Sequence, residues 1–191
     1  MALSQPHPSM SETEYLAFER ANEIKHEFVA GTVKAMTGAS WRHNVICANI
    51  TGALLQQFVG TPCTVVAGDM RVKVNSAYRY PDVVVVCGEP DFTDDAQDTL
   101  TNPVVLVEVL SPSTALIDRN EKLHEYQQIA SLQAYLLVSQ NTPRIERYLR
   151  QDAQNWLYTE VNDLEADLDL PANARTLSLQ AAYTNVRFES D

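Results

Sequence analysis

The pattern of apolar and polar positions changes period several times along the chain, and each change predicts a new element. A capping box at residues 11–14 predicts a short helix over residues 12–21. Residues 25–36 alternate as a hairpin around Ala30-Gly31, and apolar residues at helical spacing predict a second helix over residues 41–59. The N-terminal third is therefore expected to be helix, hairpin and helix.

The middle of the chain is dominated by short apolar runs rich in β-branched residues, which predict strands. These strands are expected at residues 63–67, 70–74, 80–87, 104–110, 134–139, 144–150 and 156–161, with a turn at 75–77. A helix capped by Ser113 or Asp118 should run to about Ala130, and a short one should cover residues 177–182. A crossover helix joins parallel strands, so the fold class expected is α/β (α+β), with a mixed sheet flanked by helices.

Length and composition fit one globular domain. The chain has 191 residues, and we expect a tail over residues 1–10 and a single domain over residues 11–191. No apolar run approaches the roughly 20 residues of a membrane span, and residues 1–10 carry no secretion signal. Cys47, Cys63 and Cys87 are odd in number and lie in apolar settings, which favours reduced cysteines in a cytoplasmic protein with no membrane partner.

Acidic residues are segregated along the chain, whose net charge is −11. This net charge argues against a general binder of nucleic acid or anionic membranes. Residues 83–100 and 151–170 hold acids without any Lys or Arg, whereas residues 20–82 are locally basic. One face could therefore meet a polyanion, although solvated surface charge explains most of these residues. The polar stretch 88–102 is expected to be a mobile loop.

Two of the apolar strands each carry one acidic residue. Glu108 shares a strand face with Leu106 and Leu110, and Asp82 stands at the mouth of the strand that begins Tyr80-Pro81. A buried carboxylate needs a cation, hydrogen-bond donors or a metal ion. Two such carboxylates close together stay ionised when a divalent cation compensates their charge.

The neighbouring residues suit phosphodiester hydrolysis. Asp82, Glu108 and the backbone carbonyl of Val109 supply oxygen ligands for Mg²⁺, for which Mn²⁺ can substitute. Lys122, on the helix that follows, could orient the attacking water or stabilise developing charge. Zinc is not expected, because no cysteine pair exists and no ligand spacing links the histidines His7, His26, His43 and His124.

Plain structural roles remain open for each candidate. Glu108 could pair with an Arg or Lys, Asp82 could cap a turn, and Lys122 could be a surface lysine paired with Asp118 or Tyr126. His43 near a helix start and Glu27 in a hairpin are often structural.

Several segments match one known family in order along the chain. The matching pieces are residues 14–16, 26–33, 80–85, 107–114 and 135–138, with His43, Asp118, Arg119, Lys122 and Tyr126. Over roughly residues 10–185 the chain resembles the Uma-type restriction endonuclease family, within the PD-(D/E)XK restriction-endonuclease-like superfamily.

This resemblance implies a restriction-endonuclease-like core and magnesium-dependent cleavage of DNA. Asp82 matches the Asp that follows Pro, and Glu108 matches the acid of the strand. Leu110 stands where the superfamily has a lysine, and the resemblance assigns that role to Lys122 on the following helix. Glu27 also matches a family position, and Glu27 and His43 are secondary candidates.

Three functions remain in competition. The first is an endonuclease acting on DNA as a homodimer, since the hairpin over residues 144–158 ends in open edges with Trp156 and Tyr158 expected to be exposed. The alternatives are a catalytically silent binding or scaffold protein with a nuclease fold, and a small-molecule phosphohydrolase.

Overall fold

The computed structural model describes residues 9–171 and 175–188. Its helices are α1 (Glu12–Arg20), α2 (Trp41–Gln57), α3 (Ala115–Ile117), α4 (Leu123–Tyr126) and α5 (Leu179–Ala182), with a π-helical turn Asp118–Lys122 between α3 and α4. Its strands are β1 (His26–Val29), β2 (Thr32–Ala35), β3 (Cys63–Ala67), β4 (Arg71–Val74), β5 (Ala77–Arg79), β6 (Val83–Cys87), β7 (Thr99–Leu100), β8 (Val105–Leu110), β9 (Ala134–Ser139), β10 (Ile145–Arg150), β11 (Trp156–Val161), β12 (Asp167–Leu170) and β13 (Arg175–Ser178).

The central sheet has the order β11-β10-β9-β8-β6-β3. Strands β8 and β9 are parallel, as the crossover predicted, and the other neighbours in this sheet are antiparallel. The predicted mixed sheet and α/β class are therefore confirmed.

A second sheet was not predicted. It has the order β2-β1-β5-β4-β7, and β12 pairs with β13 in a separate hairpin. The predicted turn at residues 75–77 is one residue too long, because β5 begins at Ala77. Asn75 and Ser76 suffice to form the turn, and Asn75 takes a positive φ of 50°. Local sequence cannot reveal which sheet a short strand joins.

The central sheet is buried on both faces. Helix α2 covers one face with Ile46, Ile50 and Leu54, which pack against strand residues such as Val85 and Val107. The opposite face packs Leu106, Leu110, Tyr126 and Tyr135 together. Burial on both faces explains why β6, β8 and β9 read as continuous apolar runs rather than as alternating strands.

The N-terminal elements follow their local signals. Ser11 and Glu14 form the predicted capping box of α1, and Ser40 caps α2 by accepting from the His43 N–H. Ala30 and Gly31 both take positive φ in the predicted hairpin turn. Of the tail predicted for residues 1–10, residues 1–8 lie outside the described part of the chain.

The acidic segment over residues 88–102 is held at several points, contrary to the expectation of a mobile loop. Arg20 binds Asp94 and Asp98, each at 2.8 Å, and Arg71 also contacts Asp98. Strand β7 within this segment pairs with β4. Arg20 of α1 and Arg71 of β4 thus bind acids of this segment, although both are distant from it in sequence. Composition alone does not reveal these contacts.

The crossover helix departs from its prediction. The side chain of Thr114, at the N-cap of α3, makes no capping hydrogen bond, and Asp118 lies inside the π-helical turn and is 1% exposed. Helix α4 ends at Tyr126 rather than near Ala130. The expected caps Ser113 and Asp118 are thus wrong, because Asp118 turns inward to a lysine instead of accepting from the helix backbone.

Two further expectations are corrected by tertiary contacts. Cys63 and Cys87 lie opposite each other on β3 and β6 and form a disulfide, so the expectation of three reduced cysteines is wrong. Trp156 is half-buried because Arg150 covers its ring at 4.4 Å, whereas Tyr158 is exposed as predicted.

The buried centre of the sheet gives a stability prediction. Leu136 in β9 is fully buried, so Leu136→Ala should lower the free energy of unfolding by about 2–5 kcal/mol through lost burial and a cavity. Leu55→Ala, at a position that is 51% exposed on α2, should change it by no more than about 0.5 kcal/mol. Urea unfolding of both variants checks this, and equal losses would contradict the burial seen here.

Candidate metal and catalytic site

Asp82 and Glu108 come from neighbouring strands. Strands β6 and β8 are antiparallel, and Val83 lies opposite Val107. Asp82 precedes Val83 and Glu108 follows Val107, so continuing this register places Asp82 opposite Glu108. The Asp82 carboxylate reaches across to β8, where its Oδ2 accepts the Val109 N–H at 2.7 Å. Pairing of the two strands therefore brings together the acids that the sequence singled out.

Lys122 is buried among carboxylates. Its side chain is 6% exposed, and its Nζ lies 2.9 Å from Glu108, 3.1 Å from Glu27 and 3.2 Å from Asp118. The interpretation of Lys122 as a surface lysine is therefore wrong. Since Glu27 belongs to β1, the ammonium joins the second sheet to the central sheet and to the crossover helix.

The pKa of Lys122 is raised above its ordinary value. Burial acts to lower this pKa, but the charges of Glu108, Glu27 and Asp118 outweigh it. Lys122 therefore stays an ammonium ion in the buried site.

Glu108 has its pKa raised well above the ordinary range. Burial is the largest cause, the charges of Asp118, Asp82 and Glu27 add to it, and Lys122 opposes it. The Glu108 Oε1 also accepts from the Tyr126 hydroxyl at 3.0 Å. This carboxyl thus lies in surroundings that disfavour its charge unless a further cation is present.

Glu27 is held by two cations. Its Oε2 accepts from Arg79 at 2.9 Å, and Arg79 also makes two hydrogen bonds of 2.8 Å to Glu125 of α4. Burial acts to raise the pKa of Glu27, but Lys122 and Arg79 together lower it. Glu27 is therefore an ionised partner of Lys122 rather than a plain cross-strand residue of the hairpin.

The cluster has more carboxylates than ammonium groups. Asp82, Glu27, Glu108 and Asp118 surround Lys122 or adjoin it. Within the described chain, Glu27 Oε1 and Asp118 Oδ1 are buried and accept no directed hydrogen bond, although Lys122 lies within 3.2 Å of each. The excess negative charge of this cluster fits a divalent cation with oxygen ligands, as the sequence suggested.

His43 borders this cluster on the side of α2. Its Nε2 lies 3.3 Å from Asp82 Oδ2, and its Nδ1 lies 3.5 Å from the sulfur of Cys47. Burial acts to lower the pKa of His43, but Asp82 and a hydrogen bond to the Val109 backbone raise it. The structure thus brings the secondary candidate His43 next to Asp82.

The sequence prediction omitted some residues of this cluster. Tyr126 and Asp118 were considered only as pairing partners of Lys122 and as matching family positions, and Cys47 was expected in an apolar setting. Cys47 follows His43 by four residues on α2, a spacing that places two ligand types on one helix face and could have revealed the pair. His7 lies outside the described residues.

A family model supports the resemblance seen in the sequence. The model of Uma2, described as "Putative restriction endonuclease", matches residues 13–182. The chain belongs to the Uma2 family.

Two relatives and one solved structure are each similar to most of this chain. The relatives are the Synechocystis sp. (strain ATCC 27184 / PCC 6803 / Kazusa) proteins named "Uncharacterized protein sll1609" and "Uncharacterized protein slr1290". The first is 36% identical over 84% of this chain and 92% of its own length, and the second is 32% identical over 97% of each.

The solved structure is described as a putative nuclease belonging to DUF820, from Anabaena variabilis ATCC 29413. Its TM-score is 0.75 at 15% identity, covering 92% of this chain and 98% of that one. This structural match establishes the fold of the Uma2 chain.

Among the described residues no helix is long and apolar enough to cross a bilayer.

The raised pKa of Glu108 predicts how stability depends on pH. Folded Glu108 holds its proton more tightly than unfolded Glu108, so its contribution is present below about pH 4.3 and is lost as the pH rises through the folded pKa. Gln does not titrate. In the presence of a chelator, the free energy of unfolding of Glu108→Gln minus that of the wild type should therefore rise as the pH is raised above about 4.3.

Urea unfolding at several pH values measures this difference. Addition of Mg²⁺ is the control, because a bound cation favours the ionised carboxylate and should flatten the dependence. A difference that falls with pH would contradict the assigned direction of the shift.

Proposed function

We propose that this Uma2 chain is a magnesium-dependent endonuclease that hydrolyses phosphodiester bonds in DNA. The observation that carries the proposal is the buried Lys122, which contacts Glu108. Glu108 belongs to β8, and β8 pairs with β6, the strand that Asp82 precedes. The family description as a restriction endonuclease agrees with this assignment.

Asp82, Glu108 and the Val109 carbonyl would hold the metal ion. Bound Mg²⁺ neutralises the phosphate and lowers the pKa of a coordinated water. Mn²⁺, which accepts the same ligands, would substitute. The Val109 N–H donates to the Asp82 carboxylate and orients it. This hydrogen bond holds Asp82 close to the other two proposed ligands, Glu108 and the Val109 carbonyl, on β8.

Lys122 would act on the attacking water and on the charge that develops at the phosphate. Leu110, at the strand position where a lysine is expected, is 6% exposed and packs in the apolar core. The lysine comes instead from the crossover helix, where Asp118 and Glu27 hold its ammonium. Tyr126 donates to Glu108 and so fixes the strand carboxylate that faces this lysine.

His43 would position Asp82 at the open side of the cluster. The imidazole contacts Asp82 Oδ2, and its side chain is 13% exposed. Glu27, by contrast, is linked to the site only through Lys122 and Arg79, so we assign it the role of orienting the lysine.

A cavity at the start of α2 supports a polyanionic substrate. Among the described residues, this cavity of about 670 Å³ is lined by Arg42 and Arg187 and by no acidic residue, although the whole chain carries a charge of −11. Trp41, at the start of α2, lines the same cavity and is 84% exposed. Cations with an exposed aromatic ring suit a phosphate backbone with an adjacent base.

Cleavage assays with site variants test the proposal. Asp82→Asn keeps an acceptor for the Val109 N–H but removes the charge, so Mg²⁺-dependent DNA cleavage should fall by about 10²-fold or more. Lys122→Met leaves three buried carboxylates without their shared cation, so circular dichroism first verifies that the variant is folded. In folded protein its cleavage should fall on a similar scale while metal binding is retained, since lysine is not a ligand. Both are measured with Mg²⁺ and Mn²⁺ on duplex and single-stranded DNA and on RNA.

Asp69→Asn is the matched control, because Asp69 is an exposed acid that contacts only Lys25 among the ion pairs of the described chain. Its cleavage rate should equal that of the wild type. Metal binding without cleavage of any nucleic acid would favour the silent scaffold, and hydrolysis of small phosphodiesters alone would favour a phosphohydrolase. Normal cleavage by Lys122→Met would remove the lysine from the mechanism.

We also propose that the nuclease acts as a homodimer joined at the β11 edge. Strand β11 is the outer strand of the central sheet, and Leu157 and Tyr158 on it are 45% and 48% exposed. An open apolar edge favours pairing with a second copy, and two-fold pairing would present two sites to the two strands of a duplex.

Charging this edge tests the dimer. Leu157→Lys should convert a micromolar dimer to monomer in sedimentation equilibrium, because an edge lysine opposes strand pairing. Leu55→Lys, at a position on α2 that is 51% exposed, is the control and should leave the dimer intact. A wild-type protein that sediments as a monomer would refute the proposal.

A further inference from the structure

A second set of ligand atoms adjoins the carboxylate cluster. His43 and Cys47 lie one turn apart on α2, and Asp82 precedes β6, so side chains from two elements meet at one point. One ligand atom from each of the three residues lies within 4.8 Å of the others. This set contains nitrogen and sulfur, which the proposed magnesium site lacks.

We infer that His43, Cys47 and Asp82 form a binding site for a thiophilic divalent cation such as Zn²⁺. The site shares Asp82 with the proposed magnesium site, but the inference concerns binding and stands whether or not the chain cleaves DNA.

The three ligand atoms lie slightly farther apart than the ligands of a coordinated ion. The Cys47 sulfur lies 3.5 Å from His43 Nδ1, and His43 Nε2 lies 3.3 Å from Asp82 Oδ2. Zinc bonds of about 2.0–2.3 Å in tetrahedral geometry place neighbouring ligand atoms roughly 3.3–3.6 Å apart. These two distances involve different ring nitrogens of His43, and one ligand atom from each residue lies within 4.8 Å of the others, so a side-chain shift of about 1 Å that turns one ring nitrogen towards the other two ligands would reach this spacing.

Charge around the three residues favours a cation. Burial raises the pKa of the Cys47 thiol, and the negative charges of Asp82 and Glu108 raise it further, whereas a bound divalent cation would compensate these charges and stabilise the thiolate. His43 contacts both the Cys47 sulfur and Asp82, so the three side chains already form one connected group. On binding, Cys47 loses its proton to solvent, and the thiolate–metal bond replaces the S–H bond.

Donor chemistry separates this site from the oxygen site. Imidazole and thiolate are preferred by zinc-like ions, whereas magnesium prefers oxygen ligands and retains waters. Three protein ligands leave one position of a tetrahedral ion for water, and all three side chains are only half-buried, so an ion can enter from solvent. A zinc-like ion held here would occupy Asp82 and compete with magnesium for that carboxylate.

Cobalt substitution tests the site directly. Metal-free full-length protein, with its disulfide intact, is titrated with Co²⁺ while thiolate-to-cobalt charge transfer is followed in the near ultraviolet. We expect a saturable charge-transfer band that Zn²⁺ abolishes by displacing the cobalt. Cys47→Ser should remove the band and weaken Co²⁺ binding by about 10-fold or more, at least the loss known for outer partners of metal ligands.

The controls separate ligand loss from general damage. His124→Asn alters an exposed histidine on α4 outside the cluster and should titrate like the wild type. Circular dichroism verifies that each variant is folded, and His43→Gln gives the same test through weakened cobalt binding if Cys47→Ser does not fold. Absence of the band in folded wild type, its persistence in Cys47→Ser or its loss in His124→Asn would overturn the inference.

Discussion

The contact on which the site depends is the buried ammonium of Lys122 among Glu27, Glu108 and Asp118. Each carboxylate comes from a different element, so the lysine ties the second sheet, the central sheet and the crossover helix together. Removing one partner from such a group leaves uncompensated buried charge, which commonly costs about 3–5 kcal/mol. The mutual geometry of the two sheets is therefore coupled to the geometry of the site.

Arg79 extends the same ionic arrangement outward. It joins Glu27 of β1 to Glu125 of α4, so the carboxylate that orients Lys122 is itself held by a cation. The π-helical turn Asp118–Lys122 carries both Asp118 and the lysine, and π-turns inside helices frequently mark functional sites. The π-helical turn and its ionic partners place Lys122 against Glu108 of β8. In the superfamily pattern, a lysine at position 110 would take this place.

Asp82 lies where two kinds of ligand chemistry meet. On one side are Glu108 and the carboxylates around Lys122, and on the other are His43 and Cys47 from α2. The first set offers oxygen and the second offers nitrogen and sulfur, so the two sides favour different cations. Under the two proposals made above, the side of Asp82 that provides the other ligands decides which cation would bind.

The sequence alone determined the elements with strong local signals and the two acids in apolar strands. The capping box, the hairpin turn and the apolar runs of β8 and β9 act over a few residues, so they could be read without the fold. Tertiary structure alone decided the burial of Lys122, the ordering of residues 88–102 by Arg20 and the meeting of Cys47 with Asp82. These depend on strand order and on charges far apart in sequence, which no local pattern encodes.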